Sequence, residues 1–188
     1  GVVGVNVWTG YAINVVAKSG KREVVVGPTT RLLNYDETLE PVILSTGCPK
    51  RADNTITTAY LRIENNKVSD YIRVQTKDYV DIDIKVSYCV DFLPEHKEKW
   101  FSVENYVKFM CDRERSLLKR EAKKYTIEEF YNKASDIVLS VAIYSVACVY
   151  SMQHKNIIMQ YIFFIIFLSL SRTSFYPFAP LFHPPPEQ

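Results

Sequence analysis

Val80-Asp81-Ile82-Asp83-Ile84-Lys85-Val86-Ser87-Tyr88-Cys89-Val90-Asp91-Phe92 alternates throughout: its seven even positions are apolar, and Asp81, Asp83, Lys85, Ser87 and Asp91 stand among the odd ones. Successive side chains on a β-strand point to opposite faces, so a period of two predicts one face in a core and the other in water. At about 3.3 Å per residue the run would reach roughly 40 Å, longer than the usual strand, which predicts a bend or an extended ribbon. Just upstream, Tyr71 to Thr76 sets Ile72 and Val74 against Arg73 and Gln75, and Lys77-Asp78 stands where a two-residue turn would make a hairpin. Thr58 to Ile63 predicts another strand, closed by the turn-prone Glu64-Asn65-Asn66.

After Leu93-Pro94 the period changes to about 3.6: Val103, Tyr106, Val107, Met110, Leu117, Leu118 and Ala122 follow i, i+3, i+4 spacing. This predicts an amphipathic helix capped by Ser102, with Lys108, Asp112, Arg115, Lys119 and Lys123 in water. A second helix is predicted from Thr126, where Thr126 and Glu129 have capping-box spacing, with the stripe Ile127, Phe130, Tyr131, Ala134, Ile137, Val138 and Val141. An antiparallel sheet covered on its apolar face by helices is an α+β fold, assigned here to residues 58–138.

Residues 1–57 read as a smaller β unit. Ile13 to Val16, Val24 to Val26, Arg31 to Leu33 and Pro41 to Leu44 are short strand-like runs punctuated by Ser19-Gly20, Gly27-Pro28, Gly47 and Pro49, which predicts a small antiparallel meander. So few residues bury too little apolar surface to stand alone, so the unit is expected to lean on a neighbour. The chain opens at Gly1 already in strand-like sequence, and is expected to be cut from a longer protein.

Charge does not name a ligand. Twenty-three Lys and Arg against 21 Asp and Glu leave +2, too little to imply duplex DNA or an anionic membrane as partner. The four cysteines lie far apart, with no metal-ligand spacing, and a reducing cytoplasmic compartment is expected. Gly20-Lys21 fails the phosphate-loop pattern, which needs Gly where Val15 stands and Ser or Thr where Arg22 stands. Lys119-Arg120 and Lys123-Lys124 are interrupted by Glu121 and read as a solvated helix face. His96 lies in a polar loop, Cys111 on the apolar stripe of a helix, and Asp81 with Asp83 on the wet face of a strand; none has local partners for catalysis. The chain is expected to be no enzyme and to hold no cofactor and no metal; an enzyme built on Cys111 or His96 is the weakest alternative.

The order of these features resembles the major vault protein family. Val24-Val25-Val26-Gly27-Pro28 and Leu44-Ser45-Thr46-Gly47-Cys48-Pro49-Lys50-Arg51 are similar to its β-rich repeats. Ser69 to Asp78, the alternating strand, Trp100-Phe101-Ser102-Val103 and Phe130 to Val138 fall in the order of its shoulder domain. The resemblance implies a structural shell subunit of a ribonucleoprotein particle, packed side by side with identical copies, in the cytoplasm and with the nucleus left open. Other vault components are implied as partners, with no direct nucleic-acid site. The shoulder also resembles the stomatin or band 7 core, so a membrane scaffold is the rival reading. The residues expected to matter are packing residues, Val80, Ile82, Ile84, Val86, Tyr88, Val90, Phe92, Ile127, Phe130 and Ile137, with Gly20, Gly27, Pro28, Gly47 and Pro49 as the turns of the repeat.

Residues 139–188 differ from the rest, holding only Lys155, Arg172 and Glu187 as charges and five of the nine prolines. The likeness is expected to stop at Val138, leaving a divergent tail read either as translated non-coding sequence or as an anchor formed by the apolar stretches 137–150 and 157–170. Each stretch is shorter than the roughly 17–25 residues of a spanning helix. Membrane contact is expected only if the tail is a genuine protein segment, and its proline-rich end is expected to be extended or unstructured.

Overall fold

The computed structural model describes residues 3–151 and 159–164. It shows the α+β class: antiparallel sheets with two long helices against one face.

The first unit contains β1 (Val3–Val7), β2 (Tyr11–Ala17), β3 (Arg22–Val26), β4 (Thr29–Leu33) and β5 (Glu37–Glu40). The β2–β3 hairpin closes through Gly20 at φ +85°, with the Ala17 amide donating to the Lys21 carbonyl at 2.9 Å. Positive φ is what glycine tolerates there. The simple meander is corrected beyond this point, since after Gly27-Pro28 strand β4 leaves β3 and pairs with β1, Val5 opposite Arg31. The two sheets, β1-β4 and β3-β2-β5, share a small core of Val5, Val7, Ile13 and Val15. Because β2 alternates, its Ala12 faces the other way and joins the larger core. The unit leans on its neighbour through that residue.

Next come β6 (Val42–Ser45) and β7 (Thr55–Thr58), paired antiparallel, and the two-residue β8 (Leu61–Arg62), which pairs with β2. The single strand expected over Thr58 to Ile63 is therefore two pieces. The Thr58 hydroxyl accepts the Tyr60 amide at 3.1 Å, a local turn that competes with the ladder. Pairing of β8 with β2 also carries the first unit's sheet past the boundary expected at 57.

The second unit is built on β9 (Asn66–Gln75) and β10 (Asp81–Phe92), with Ile84 opposite Ile72 and Tyr88 opposite Val68. Strand β11 (Met159–Phe164) lies on the far edge of β10, with a register shift between Cys89 and Val90 that supplies an irregularity in the long strand. The two-residue turn at Lys77-Asp78 is corrected to a five-residue connection over 76–80. There the Thr76 amide donates to the Val80 carbonyl at 3.0 Å and Tyr79 sits at φ 62°. Asp78 is the cause of the longer loop, because it accepts from the Thr76 hydroxyl and the Ile127 amide at once. Val80 consequently precedes β10 and is half-buried.

Helix α1 spans Tyr106–Ala122 and starts after Asn105, not Ser102. Asn105 Oδ1 accepts the Lys108 amide at 3.0 Å, whereas the Ser102 hydroxyl donates to the Lys99 carbonyl and closes the 3-10 turn over Pro94–Lys99. Helix α2, Ile127–Ser151, opens with the expected reciprocal cap: the Thr126 amide donates to Glu129 Oε2 at 3.0 Å and the Glu129 amide to the Thr126 hydroxyl at 3.4 Å. Thr126→Ala should cost about 1 kcal/mol in urea denaturation; an unchanged midpoint would show that Asp78 caps the helix alone. Hydrogen bonding by Thr76 holds the Asp78 carboxyl below its ordinary value of 3.8. Its contribution to the cap is therefore present above that value and is lost as pH falls below it through the lowered folded value.

Helix α2 crosses Val138 without interruption. No helix among the described residues is long and apolar enough to cross a membrane. The expectations for Ile157, Ile158 and residues 165–188, including the proline-rich end, lie outside the described residues.

Candidate functional site

Ile82, Ile84, Val86, Tyr88, Val90 and Phe92 are buried on β10; they meet Phe130 and Ile137 of α2 in one core, with Ile127 half-buried at its margin. Phe92 stacks edge-on with Trp100 and Tyr106, centroids 5.9 and 5.2 Å away. Such pairs add to the burial of their area. Gly20 and Gly27-Pro28 lie in connections of the first unit, and Gly47 and Pro49 in the connection between β6 and β7.

The polar counterpart of that core is a joint between the two units, which the sequence reading missed. Asp70 lies on the apolar face of β9, opposite Val86, and is fully buried. Its Oδ2 accepts from Arg115 of α1 at 2.7 Å, while Oδ1 accepts the Lys50 amide at 2.8 Å and the Tyr71 amide at 2.9 Å. Arg115 also reaches Asp112 at 2.6 Å. One carboxylate thus ties sheet, helix and the loop after β6. A second tie lies alongside: Asn105 Nδ2 donates to the Ser45 hydroxyl at 2.9 Å, and the Ile43 amide to the Glu104 carbonyl at 3.2 Å. Strand alternation held the signal, because Asp70 shares even parity with Ile72 and Val74, but it becomes visible only once β9 is extended back to Asn66.

The groups considered for chemistry are otherwise engaged. Asp83 forms a two-pronged pair with Arg73, which holds its carboxyl below the ordinary range, and Asp81 accepts from Gln75. These are cross-strand pairs on a wet face. Cys111 is fully buried, and burial, followed by the Asp70 charge, pushes its thiol up to about 12. A thiol so protonated is a poor nucleophile. Iodoacetamide should therefore modify exposed Cys48 in the native protein and reach Cys111 only on unfolding, read by peptide mass spectrometry; native labelling of Cys111 would contradict its burial. The His96 ring lies 4.0 Å from Glu98, its one ion-pair neighbour among the described residues. No group of His, Cys, Asp and Glu among the described residues could hold a metal ion.

The family model of the major vault protein shoulder domain matches residues 64–171, so the likeness runs past Val138. The chain is 30% identical over 117 residues to major vault protein beta of Dictyostelium discoideum, a match covering 61% of this chain and 14% of that protein. It is 27% identical over 127 residues to the major vault protein of Strongylocentrotus purpuratus, covering 64% of this chain and 15% of the relative. For the Bos taurus protein the figures are 27% over 124 residues, 63% and 14%. The chain thus spans a small fraction of the length of the curated relatives it matches.

Proposed function

The chain belongs to the major vault protein shoulder-domain family, and on that premise we propose that it is a non-enzymatic structural subunit of a vault-type ribonucleoprotein shell, assembling side by side with identical copies. The observation that carries the proposal is the family match over the same residues that form the β9–β10 sheet and its helices. Two features support it. The first unit is small, with four fully apolar core residues of its own, and it leaves Val3, Trp8, Leu32 and Tyr35 exposed, the last at 97%. A neighbouring copy would cover such surface and supply the burial the unit lacks. The joint at Asp70 supports it as well, since it holds the unit on the shoulder as one piece, as a load-transmitting stave requires.

The proposed compartment is the cytoplasm, with the nucleus open beside it, and other vault components are proposed as partners. The test is sedimentation of the native full-length protein from lysate, with and without detergent, followed by electron microscopy. A very large, detergent-resistant, barrel-shaped particle is the expected result. Protein that pellets with membranes and is released only by detergent would replace this reading with a band 7-like scaffold.

A further inference from the structure

Among the described residues strand β9 has one partner, β10, and its other edge is sealed at two places. Toward its start the Ser69 carbonyl accepts from the Cys48 thiol at 3.5 Å and the Tyr71 amide donates to Asp70. Just past its end the Lys77 amide donates to the Tyr125 carbonyl at 2.8 Å. Residues 69, 71 and 77 thus turn backbone groups away from β10, and the alternation of an antiparallel ladder turns those of Arg73 and Gln75 the same way. Between the seals, the Tyr71 carbonyl, both groups of Arg73 and the Gln75 amide form an open edge, with no partner among the described residues. An open edge is a template for another strand.

Helix α1 runs beside this edge. It meets β9 at Arg115–Asp70, and the chain leaving it meets the end of β9 at Tyr125–Lys77. Lys119 and Lys123 follow Arg115 at i+4 and i+8, along the flank that Arg115 directs to β9. Both are exposed, as is Lys77, and none of the three has a carboxylate within ion-pair distance among the described residues. Nearby cations are neutralised: Arg73 by Asp83, Lys108 by Asp112, Lys124 by Glu121. The edge is therefore bordered by unpaired positive charge. Residues four apart on a helix rise about 6 Å, and residues two apart on a strand about 6.6 Å. A strand laid on β9 would turn alternate side chains toward α1 at very nearly the spacing of Lys119 and Lys123.

We propose that the open β9 edge between Tyr71 and Gln75 binds an extended acidic peptide segment of a partner protein, taking it as an added strand with carboxylates at alternate positions on Lys119 and Lys123. Main-chain pairing supplies the docking and the lysines supply the selection. A nucleic-acid strand would use the lysines but has no alternating N–H and C=O groups with which to continue the ladder.

The probe is a fluorescein-labelled peptide of alternating glutamate and valine, titrated into the full chain by anisotropy. Saturable binding is expected, weaker for a peptide of the same composition with its glutamates in one block, and absent for alternating lysine and valine. Lys119→Glu with Lys123→Glu, both on the surface, should weaken it about tenfold, since two attractions become repulsions. Hydrogen exchange on the wild-type chain reads the edge itself, and the Arg73 and Gln75 amides should slow on peptide addition. Unchanged exchange at these amides overturns the proposal, as does equal binding of the blocked peptide or indifference to the double substitution. Binding of a single-stranded oligonucleotide in place of the peptide, with those amides still exchanging freely, would make the stripe a general anion surface and overturn it too.

Discussion

Asp70→Ala is expected to destabilise the protein by about 3–5 kcal/mol, because it removes one member of a largely buried ion pair and leaves the other uncompensated. Arg115 keeps one partner, Asp112, but that carboxylate is partly exposed, while the Arg115 side chain is only 20% exposed. The loss also reaches beyond the pair, since the Lys50 amide on the far loop loses its acceptor. Asp70→Val combined with Arg115→Met separates these contributions. Exchanging both members for apolar side chains of similar bulk is often nearly neutral for the pair itself. What persists in the double variant is the loss of Asp70 Oδ1 as an acceptor, about 1–3 kcal/mol for the Lys50 amide and less for the Tyr71 amide, whose exposed residue can turn to water. Chemical denaturation of the wild type and both variants tests this: the double variant should lie between the other two. If Asp70→Ala alone costs less than about 1 kcal/mol, the joint is not held by this carboxylate.

The two units were legible to different depths for a physical reason. In the shoulder, periodicity is long: seven alternating positions on one strand, then stripes at helical spacing, so errors at single residues do not change which face is buried. The core of Ile82, Ile84, Val86, Phe130 and Ile137 could be read directly. Local competition set the boundaries instead. Asn105, not Ser102, caps α1 because Ser102 is occupied by the Lys99 carbonyl, and Asp78 lengthens the β9–β10 connection by reaching α2, 49 residues on. No local pattern carries such a partner. In the first unit the strands are four to seven residues long, too short to fix pairing, so the crossing of β4 to β1 was invisible although the Gly20 turn was not. The Asp70 joint was half-visible: its parity put it on the core face, but its three partners come from the loop after β6, its own strand and α1.

Gly27→Ala is expected to be the most damaging substitution in the first unit, and the reason is space. A Cβ on Gly27 would lie 2.0 Å from the Trp8 carbonyl oxygen, 2.5 Å from its carbon and 2.7 Å from the Val7 oxygen. All three are backbone atoms, so no side chain can rotate aside. The Gly27 amide also donates to the Tyr11 carbonyl at 2.9 Å, fixing the end of β3 against β2 just where the chain departs to pair with β1. To admit a methyl group the Val7–Trp8 backbone must move, and Val7 belongs to the small core. We expect a cost of about 3 kcal/mol, at the upper end for overpacking because the obstacle is main chain. Gly20→Ala is the contrast. Its added Cβ would meet nothing within 4 Å, and its φ of +85° alone should cost about 1–2 kcal/mol. Because the β9–β10 sheet has its own core, Gly27→Ala should loosen the first unit before the second. Hydrogen exchange should show the amides of β2 and β3 losing protection while those of β9 and β10 hold; equal loss in both would mean that the units unfold as one. A stability matching that of Gly20→Ala would show that the Trp8 carbonyl yields to the methyl group and that the close approach is not what fixes this corner.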